Sequence, residues 1–155
     1  MMESRFLDRA LALAVENVAA GGGPFGALIV RNGEVVATGV NRVTRENDPT
    51  SHAEVNAIRA ASQKLKTFKL EGCELYSSCE PCPMCMGAIY WAGVTTVYYG
   101  ADSDEAAVAG FDDRYIYDEL RKKPQQRTLR CIQIPSPSNS EPFDAWRLCD
   151  NKVIY

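Results

Sequence analysis

The chain has 155 residues, of which 46% are hydrophobic and 24% are charged, and its formal net charge is −3. This length suits one domain with its own hydrophobic core, so we expect a single domain over residues 1–155. The negative charge argues against a dedicated nucleic-acid binder, which needs a strongly basic face. No apolar run approaches the ~20 residues of a membrane span, and the N-terminus lacks the plan of a secretory signal. We therefore expect a cytoplasmic protein without a membrane partner.

Helical and strand-like patterns alternate along the chain. Apolar residues at helical spacing predict a first helix over residues 4–20, with Ser4 as its N-cap, and the glycines and proline at 21–24 end it. Residues 26–30 and 35–40 are apolar runs around Asn32-Gly33, a strong hairpin signal. Helical spacing predicts further helices over 51–65, from Pro83, over 106–120 with a break at 110–113, and over 143–151. Strand-like runs predict further strands over 73–78, 94–100 and 129–134. This order predicts an α/β fold, a mixed sheet with helices on both faces.

The stretch from Ser78 to Cys85 has the composition of a metal site. Pro83 is favoured at the first position of a helix, which makes Cys82 the N-cap and Cys85 the third helical residue. Residues three apart share one face of a helix, so the two sulfurs can converge on one ion. The chain has six cysteines, and in a cytosolic protein such a cluster more often binds metal than forms disulfides.

The single histidine, His52, lies in the first turn of the helix predicted over 51–65 and can complete this site. With Cys82 and Cys85 it makes three ligands, which leaves the fourth position of tetrahedral zinc for water, as in a catalytic site. Cys79 as a fourth ligand would instead close the site and make it structural. We favour the open site because Cys79 lies at the end of a strand, away from the face that carries Cys82 and Cys85.

Glu54 has two interpretations. Ser51 and Glu54 have the spacing of a capping box, in which the glutamate bonds back to the first N–H of the helix. Alternatively, the carboxylate reaches the zinc-bound water, provided that the ion lies off the end of the helix. At that position the helix dipole would stabilise thiolates and a bound hydroxide.

The pattern His52-x-Glu54 followed by Pro81-Cys82-x-x-Cys85 matches the signature of the zinc deaminases. Over essentially its whole length the chain resembles the cytidine-deaminase-like superfamily, and within it the bacterial guanine deaminases. The narrower resemblance rests on residues 22–26, 41, 48–50, 110–113 and 151–155. It implies a three-layer α/β/α fold with a mixed central sheet of about five strands. It also implies a homodimer in which the C-terminal segment, about residues 135–155, is exchanged between subunits.

The resemblance further implies zinc-dependent hydrolysis of guanine to xanthine and ammonia. His52, Cys82 and Cys85 would hold Zn²⁺, and Glu54 would carry the proton from the water to the ring nitrogen and then to the leaving amine. The residues considered for contact with the purine are Asn41, Asp113, Phe25, Trp91, Ala53 and the C-terminal aromatic Tyr155. Asp112 is the alternative to Asp113, unless it caps the helix that follows.

Three other functions remain open on the sequence. A tRNA adenosine deaminase shares the zinc motif and is favoured by a basic cluster (Arg121, Lys122, Lys123, Arg127 and Arg130), although such a cluster is usually a solvated helix end. The acidic total charge and the Gly-Phe-Asp-Asp segment at 110–113 disfavour it. A guanosine deaminase would differ in the depth of its pocket. The non-enzymatic alternative is a zinc-stabilised binding module.

Overall fold

The computed structural model describes residues 2–155, with side chains from Ser4 onwards. The described chain divides into two compact units, of which the first ends at Tyr115 and the second comprises Ile116–Tyr155. None of the helices in residues 2–155 is both long enough and apolar enough to cross a membrane.

The first unit contains a sheet and the helices that cover it. Its elements are α1 (Met2–Ala19), β1 (Gly26–Arg31), β2 (Glu34–Val40), α2 (Val43–Glu46), α3 (Ala53–Leu65), β3 (Cys73–Cys79), α4 (Pro83–Ala92), β4 (Thr96–Ala101) and α5 (Ser103–Val108). The helices and strands predicted for this part are confirmed, and a further short helix, α2, lies between β2 and α3. The prediction for Ser4 was wrong. An N-cap has non-helical backbone angles, whereas Ser4 lies inside a helix that has already begun.

Within the described residues, four strands form one mixed sheet in the order β2-β1-β3-β4. β1 pairs antiparallel with β2 and with β3, while β3 and β4 are parallel. The β1–β2 hairpin turns at Asn32 and Gly33, which both have positive φ, 53° and 73°. These angles are those of a type I′ turn, so the hairpin predicted from Asn-Gly is confirmed.

β1 lies in the middle of the core and is buried on both faces. Leu28 and Val30 point to one face, where they pack against α1. Ala27 and Ile29 point to the other face, where they pack against α3 and α4. Alternate residues of one strand thus serve two helical layers, and the predicted three-layer α/β/α class is confirmed.

The topology brings the ends of three strands to one edge of the sheet. Because β1 runs antiparallel to both neighbours, β2, β3 and β4 all run in the same direction. Their carboxyl ends therefore lie together, and α3 and α4 begin shortly after β2 and β3 respectively. In open α/β sheets this edge is where ligands bind.

The sheet has one strand fewer than the five predicted. The segment over 129–134, predicted as the last strand, adopts no regular structure, and its apolar side chains Leu129, Ile132 and Ile134 are 74%, 69% and 77% exposed. β-propensity expresses how well a side chain packs on a half-buried sheet. Strand propensity alone therefore does not make this segment a strand in the described chain.

The second unit is short and largely exposed. Helix α6 (Arg114–Arg121) leads into it, and it contains a 3₁₀ turn (Pro124–Gln126) and helix α7 (Glu141–Leu148). The predicted break between the helices on either side of 110–113 and the predicted final helix are both confirmed. Part of the basic cluster is engaged locally, since Arg121 and Lys122 pair with Asp118 and Glu119.

Candidate active site

The predicted metal ligands meet where two helices begin. Cys82 is the N-cap of α4, with Pro83 at the first helical position, as predicted. His52, predicted in the first turn of its helix, is the N-cap of α3. Nδ1 of His52 lies 3.5 Å from Sγ of Cys82 and 3.4 Å from Sγ of Cys85. The three donor atoms lie within 4.8 Å of one another and form a group that could hold a metal ion.

The chemistry and spacing of these donors fit zinc. Ligands about 2.1 and 2.3 Å from a tetrahedral zinc, one nitrogen and one sulfur, are about 3.6 Å apart, close to the separations in this site. Hydrogen bonds from the Cys85 thiol and from His52 lower the pKa of Cys82, which favours the thiolate form of this sulfur. The bond to Cys82 raises the pKa of His52 above its usual value. Two helix N-termini point at the same place, and their dipoles favour the thiolate.

Cys79 does not belong to this group. Its thiol contacts the backbone oxygen of Asp102 at 3.8 Å, at the end of β4. Burial raises the pKa of Cys79 to about 11. Its position, outside the group formed by His52, Cys82 and Cys85, is what separates it from the three donors. The donor set in the described chain is therefore the open one, with three protein ligands.

Glu54 lies beside the donors and is buried. Its Oε1 accepts a 3.0 Å hydrogen bond from the hydroxyl of Ser77, and its Oε2 accepts one of 3.4 Å from the Cys85 thiol. Burial raises the pKa of the Glu54 carboxyl above its usual value. The capping-box interpretation was wrong. His52, rather than Ser51, is the N-cap, and the Ser51 hydroxyl bonds to Glu46 instead.

A cavity of about 540 Å³ opens above Glu54 and the donors. Its wall includes Phe25 and Phe111, whose rings meet edge to face with centroids 4.9 Å apart. The other residues that line it are Gly21, Gly22, Gly23, Asn41, Val43, Thr44, His52, Glu54, Cys79, Glu80, Cys82, Ser103, Ala106, Gly110, Asp112 and Asp113. An apolar wall with a few polar groups is typical of a pocket for a planar heterocycle.

Asn41 lies directly after β2, at the rim of the cavity, and is buried. The backbone N–H of Val43 donates to its Oδ1 at 3.2 Å. An N–H needs an acceptor, so this bond fixes which side of the amide is oxygen and orients its NH₂ group as a donor.

Asp112 and Asp113 both line the cavity but differ in their partners. The guanidinium and backbone N–H of Arg114 donate to Asp112, and Arg114 lowers the pKa of that carboxyl to about 2. Oδ1 of Asp113 is buried and has no hydrogen-bond partner among the described residues. Burial, followed by the negative charge of Cys82, raises the pKa of Asp113 above its usual value. Asp113 is thus the carboxyl with an acceptor available to a ligand.

Two predicted residues of the first unit do not line this cavity. Trp91 is 66% exposed on α4, and Ala53 is fully buried at the start of α3. Tyr155 belongs to the second unit.

Sequence reasoning missed two residues that support the site. Ser77 holds Glu54, and Asn17, on α1, bonds to the backbone of Gly23 and of Asn41. Ser77 lies in the strand that leads to the cysteines, and Asn17 interrupts an otherwise apolar face of α1. A polar residue at a buried position of a periodic pattern is the signal that could have found both.

Residues 1–101 match the family model described as the cytidine and deoxycytidylate deaminase zinc-binding region. A guanine deaminase of Bacillus subtilis is 52% identical over 156 aligned residues, which cover all of both chains. A tRNA-specific adenosine deaminase of Aquifex aeolicus is 42% identical over 101 residues, covering 65% of this chain and 67% of that protein.

Solved structures agree with these relatives. The crystal structure of guanine deaminase from Bacillus subtilis superposes with a TM-score of 0.96 at 52% identity and covers 98% of each chain. That of guanine deaminase from Nitrosomonas europaea has a TM-score of 0.68 at 35% identity, covering 78% of this chain and 66% of that one.

Proposed function

The chain belongs to the cytidine and deoxycytidylate deaminase zinc-binding family, and we propose that it is a zinc-dependent guanine deaminase that releases xanthine and ammonia. One observation carries this function: three donors for a metal lie beside a buried glutamate, below a cavity with an unpaired carboxyl oxygen. The full-length similarity to a guanine deaminase agrees with it.

His52, Cys82 and Cys85 would hold the zinc, which would activate a water by lowering its pKa to about 7. Oε2 of Glu54 lies within reach of the same place, since it is 3.4 Å from Sγ of Cys85. Glu54 takes one proton of the water and delivers it to the ring nitrogen next to the amino-bearing carbon, while the water oxygen forms a bond to that carbon. Glu54 then takes the second proton from the same oxygen and delivers it to the amine, so that the C–N bond breaks, the oxygen becomes the carbonyl of xanthine and ammonia leaves. Ser77 keeps the carboxylate in the orientation that both transfers need.

Substrate recognition is assigned to the polar groups around the aromatic wall. The NH₂ group of Asn41 donates to an acceptor on the purine edge, and Asp113 accepts from the N–H groups of guanine. Phe25 and Phe111 bound the space for the ring. A carboxylate suits guanine because adenine offers no ring N–H on its pyrimidine side, so Asp113 favours the former.

The test is ammonia release from purified, zinc-loaded protein given guanine, guanosine, adenine, cytosine or cytidine. We expect release from guanine above all. Release from guanosine alone would favour the nucleoside deaminase, and release from an adenosine-containing tRNA anticodon stem would favour the tRNA enzyme. No release from guanine or guanosine contradicts the proposal.

We propose a homodimer in which the segment over about 135–155 is exchanged, so that the partner chain brings a Tyr155 to each pocket. The exposed apolar side chains of this segment, among them Phe143, Leu148 and Ile154, support it. Light scattering gives the mass in solution. Deletion of residues 153–155 should leave the dimer intact and lower guanine turnover, whereas unchanged turnover would remove Tyr155 from the site.

We place the protein in the cytosol. All six cysteines are free thiols, and Cys131 and Cys149 are exposed, which suits a reducing compartment. We also propose that residues 1–155 act as one functional domain.

A further inference from the structure

Asn17 is 3% exposed and lies beneath the loop that borders the cavity. We propose that Asn17 is the positioning residue of the purine pocket. Its carboxamide ties the glycine loop at 21–23 to the end of β2 and thereby sets the affinity for the substrate. The inference rests on the proposed function and assigns a determinant of binding in the same site.

The Asn17 side chain joins three segments of the chain. Its Nδ2 donates to the backbone oxygens of Gly23 and of Asn41, both at 2.8 Å, and its Oδ1 accepts from the Arg45 guanidinium at 2.9 Å. A carboxamide has two N–H donors and one acceptor oxygen, which is the set of groups that these partners require. Aspartate lacks the donors.

The glycine loop is shaped around this side chain. The N–H of Gly22 donates to the backbone oxygen of Asn17 at 2.8 Å. A Cβ atom at Gly22 would overlap the Asn17 carboxamide, so any larger residue there must displace it. The loop and Asn17 therefore form one packed unit.

The bonds continue from Asn17 to the groups that would contact the purine. Gly23 oxygen also accepts from the N–H of Phe25 at 2.8 Å, and Phe25 oxygen accepts from the N–H of Asn41 at 3.1 Å. Asn17 thus fixes the backbone on both sides of Phe25 and at Asn41. The hydrogen bonds of its side chain to Gly23, Asn41 and Arg45 involve neither Glu54 nor the zinc donors. Loss of the carboxamide should weaken binding of the purine without altering the chemical step or the metal.

The first experiment is steady-state kinetics of Asn17→Ala with guanine, together with zinc content. Two buried hydrogen bonds to backbone oxygens are lost, so we expect KM to rise by about tenfold, with kcat changed by less than about threefold. Zinc content should stay at the wild-type value. An unchanged KM, or a loss confined to kcat, would overturn the proposal.

The second experiment is a double-mutant cycle with Gly22→Ala. In the wild type the added methyl displaces Asn17, so KM should rise about as far as in Asn17→Ala. In the Asn17→Ala background the methyl fits the vacated space, and the double variant should have the KM of Asn17→Ala alone. Additive effects would contradict the proposal. Gly87→Ala is the matched control, since a methyl there meets open space on α4, and it should leave KM unchanged.

Amide hydrogen exchange separates this inference from the proposed function, because it needs no substrate. Exchange at Phe25 and Asn41 should quicken in Asn17→Ala and in Gly22→Ala, but not in Gly87→Ala. If the wild type releases ammonia from guanine while exchange and KM of the variants are unchanged, the role of Asn17 is wrong and the function stands. If exchange quickens but the wild type acts on no purine, the function is wrong and the loop contact stands. Gly22→Ala also supplies the test should Asn17→Ala fail to fold.

Discussion

The hydroxyl of Ser77 donates a 3.0 Å hydrogen bond to Oε1 of Glu54, and both side chains are buried. Ser77 lies on β3, in register with Ala27 of β1 on one side and Tyr99 of β4 on the other. The sheet therefore fixes the position of the Ser77 hydroxyl, and this hydroxyl orients the carboxylate to which the proposed mechanism assigns the proton transfers. The same bond lowers the pKa of Glu54, against the larger effect of burial, which raises it.

Ser77→Ala should lower kcat by about tenfold, because a bond to a charged group that orients the carboxylate is lost. KM should stay unchanged. Glu54 must be ionised to accept a proton, so kcat falls as the pH falls through its pKa. Since Ser77 lowers that pKa, the acid limb of the kcat profile should move to higher pH in the variant. Ser78→Ala is the control: its hydroxyl accepts from the Gly26 N–H instead, so this variant should lose stability but keep the profile.

Glu54→Gln should fold, bind zinc and lose guanine turnover by about 10²–10⁴-fold, because the amide cannot accept and deliver the proton. Ammonia release and metal content measured on one sample separate this outcome from loss of the metal. A zinc-stabilised binding module would instead keep its function in this variant.

Cys79→Ser should keep the zinc content of the wild type, whereas Cys85→Ser should lose most of it. The reason is that Cys79 contacts Asp102 and lies outside the donor group, which Cys85 shares with His52. Metal content after competition with a chelator measures the difference. Equal loss in both variants would make the site a closed one with four ligands.

Asp113 should give guanine binding its own pH dependence. The carboxyl accepts N–H groups when it is ionised, and its pKa lies above the usual 3.8. KM for guanine should therefore rise as the pH falls through that raised pKa, and this rise should disappear in Asp113→Asn, whose KM is high throughout.

Asp113 should also lower the stability of the folded protein at neutral pH when no ligand is bound. Its folded pKa is raised above the unfolded value, so the folded protein holds the proton more tightly. Stability is then greater at low pH and is lost as the pH rises from the unfolded pKa through the folded one. Asp113→Asn should raise Tm at pH 7, and the gain should shrink on acidification. A lower Tm at pH 7 would contradict this role.

Short-range patterns were sufficient for much of the fold and for the metal donors. Asn32 and Gly33 favour the type I′ turn because these two residue types accept positive φ angles, whatever packs around them. Pro83 likewise marks the start of α4 through its own backbone restriction. That start places Cys82 and Cys85 on one side of a helix end. His52 and Glu54 complete the motif, and the combined motif is specific to the zinc deaminases.

The tertiary structure decided which side chains are buried and which hydrogen-bond partners they have. The apolar residues over 129–134 have strand propensity, but they are exposed and their segment adopts no regular structure. Asp112 and Asp113 are adjacent and chemically equal, and Arg114 engages the first and leaves an oxygen of the second unpaired. Trp91, predicted as a wall of the pocket, is exposed and is not among the residues that line the cavity. Asn17 and Ser77 gain their roles from partners 24 and 23 residues away, Asn41 and Glu54. The motif and the turn residues thus determined the donors and most elements, whereas long-range packing decided which polar groups line the cavity.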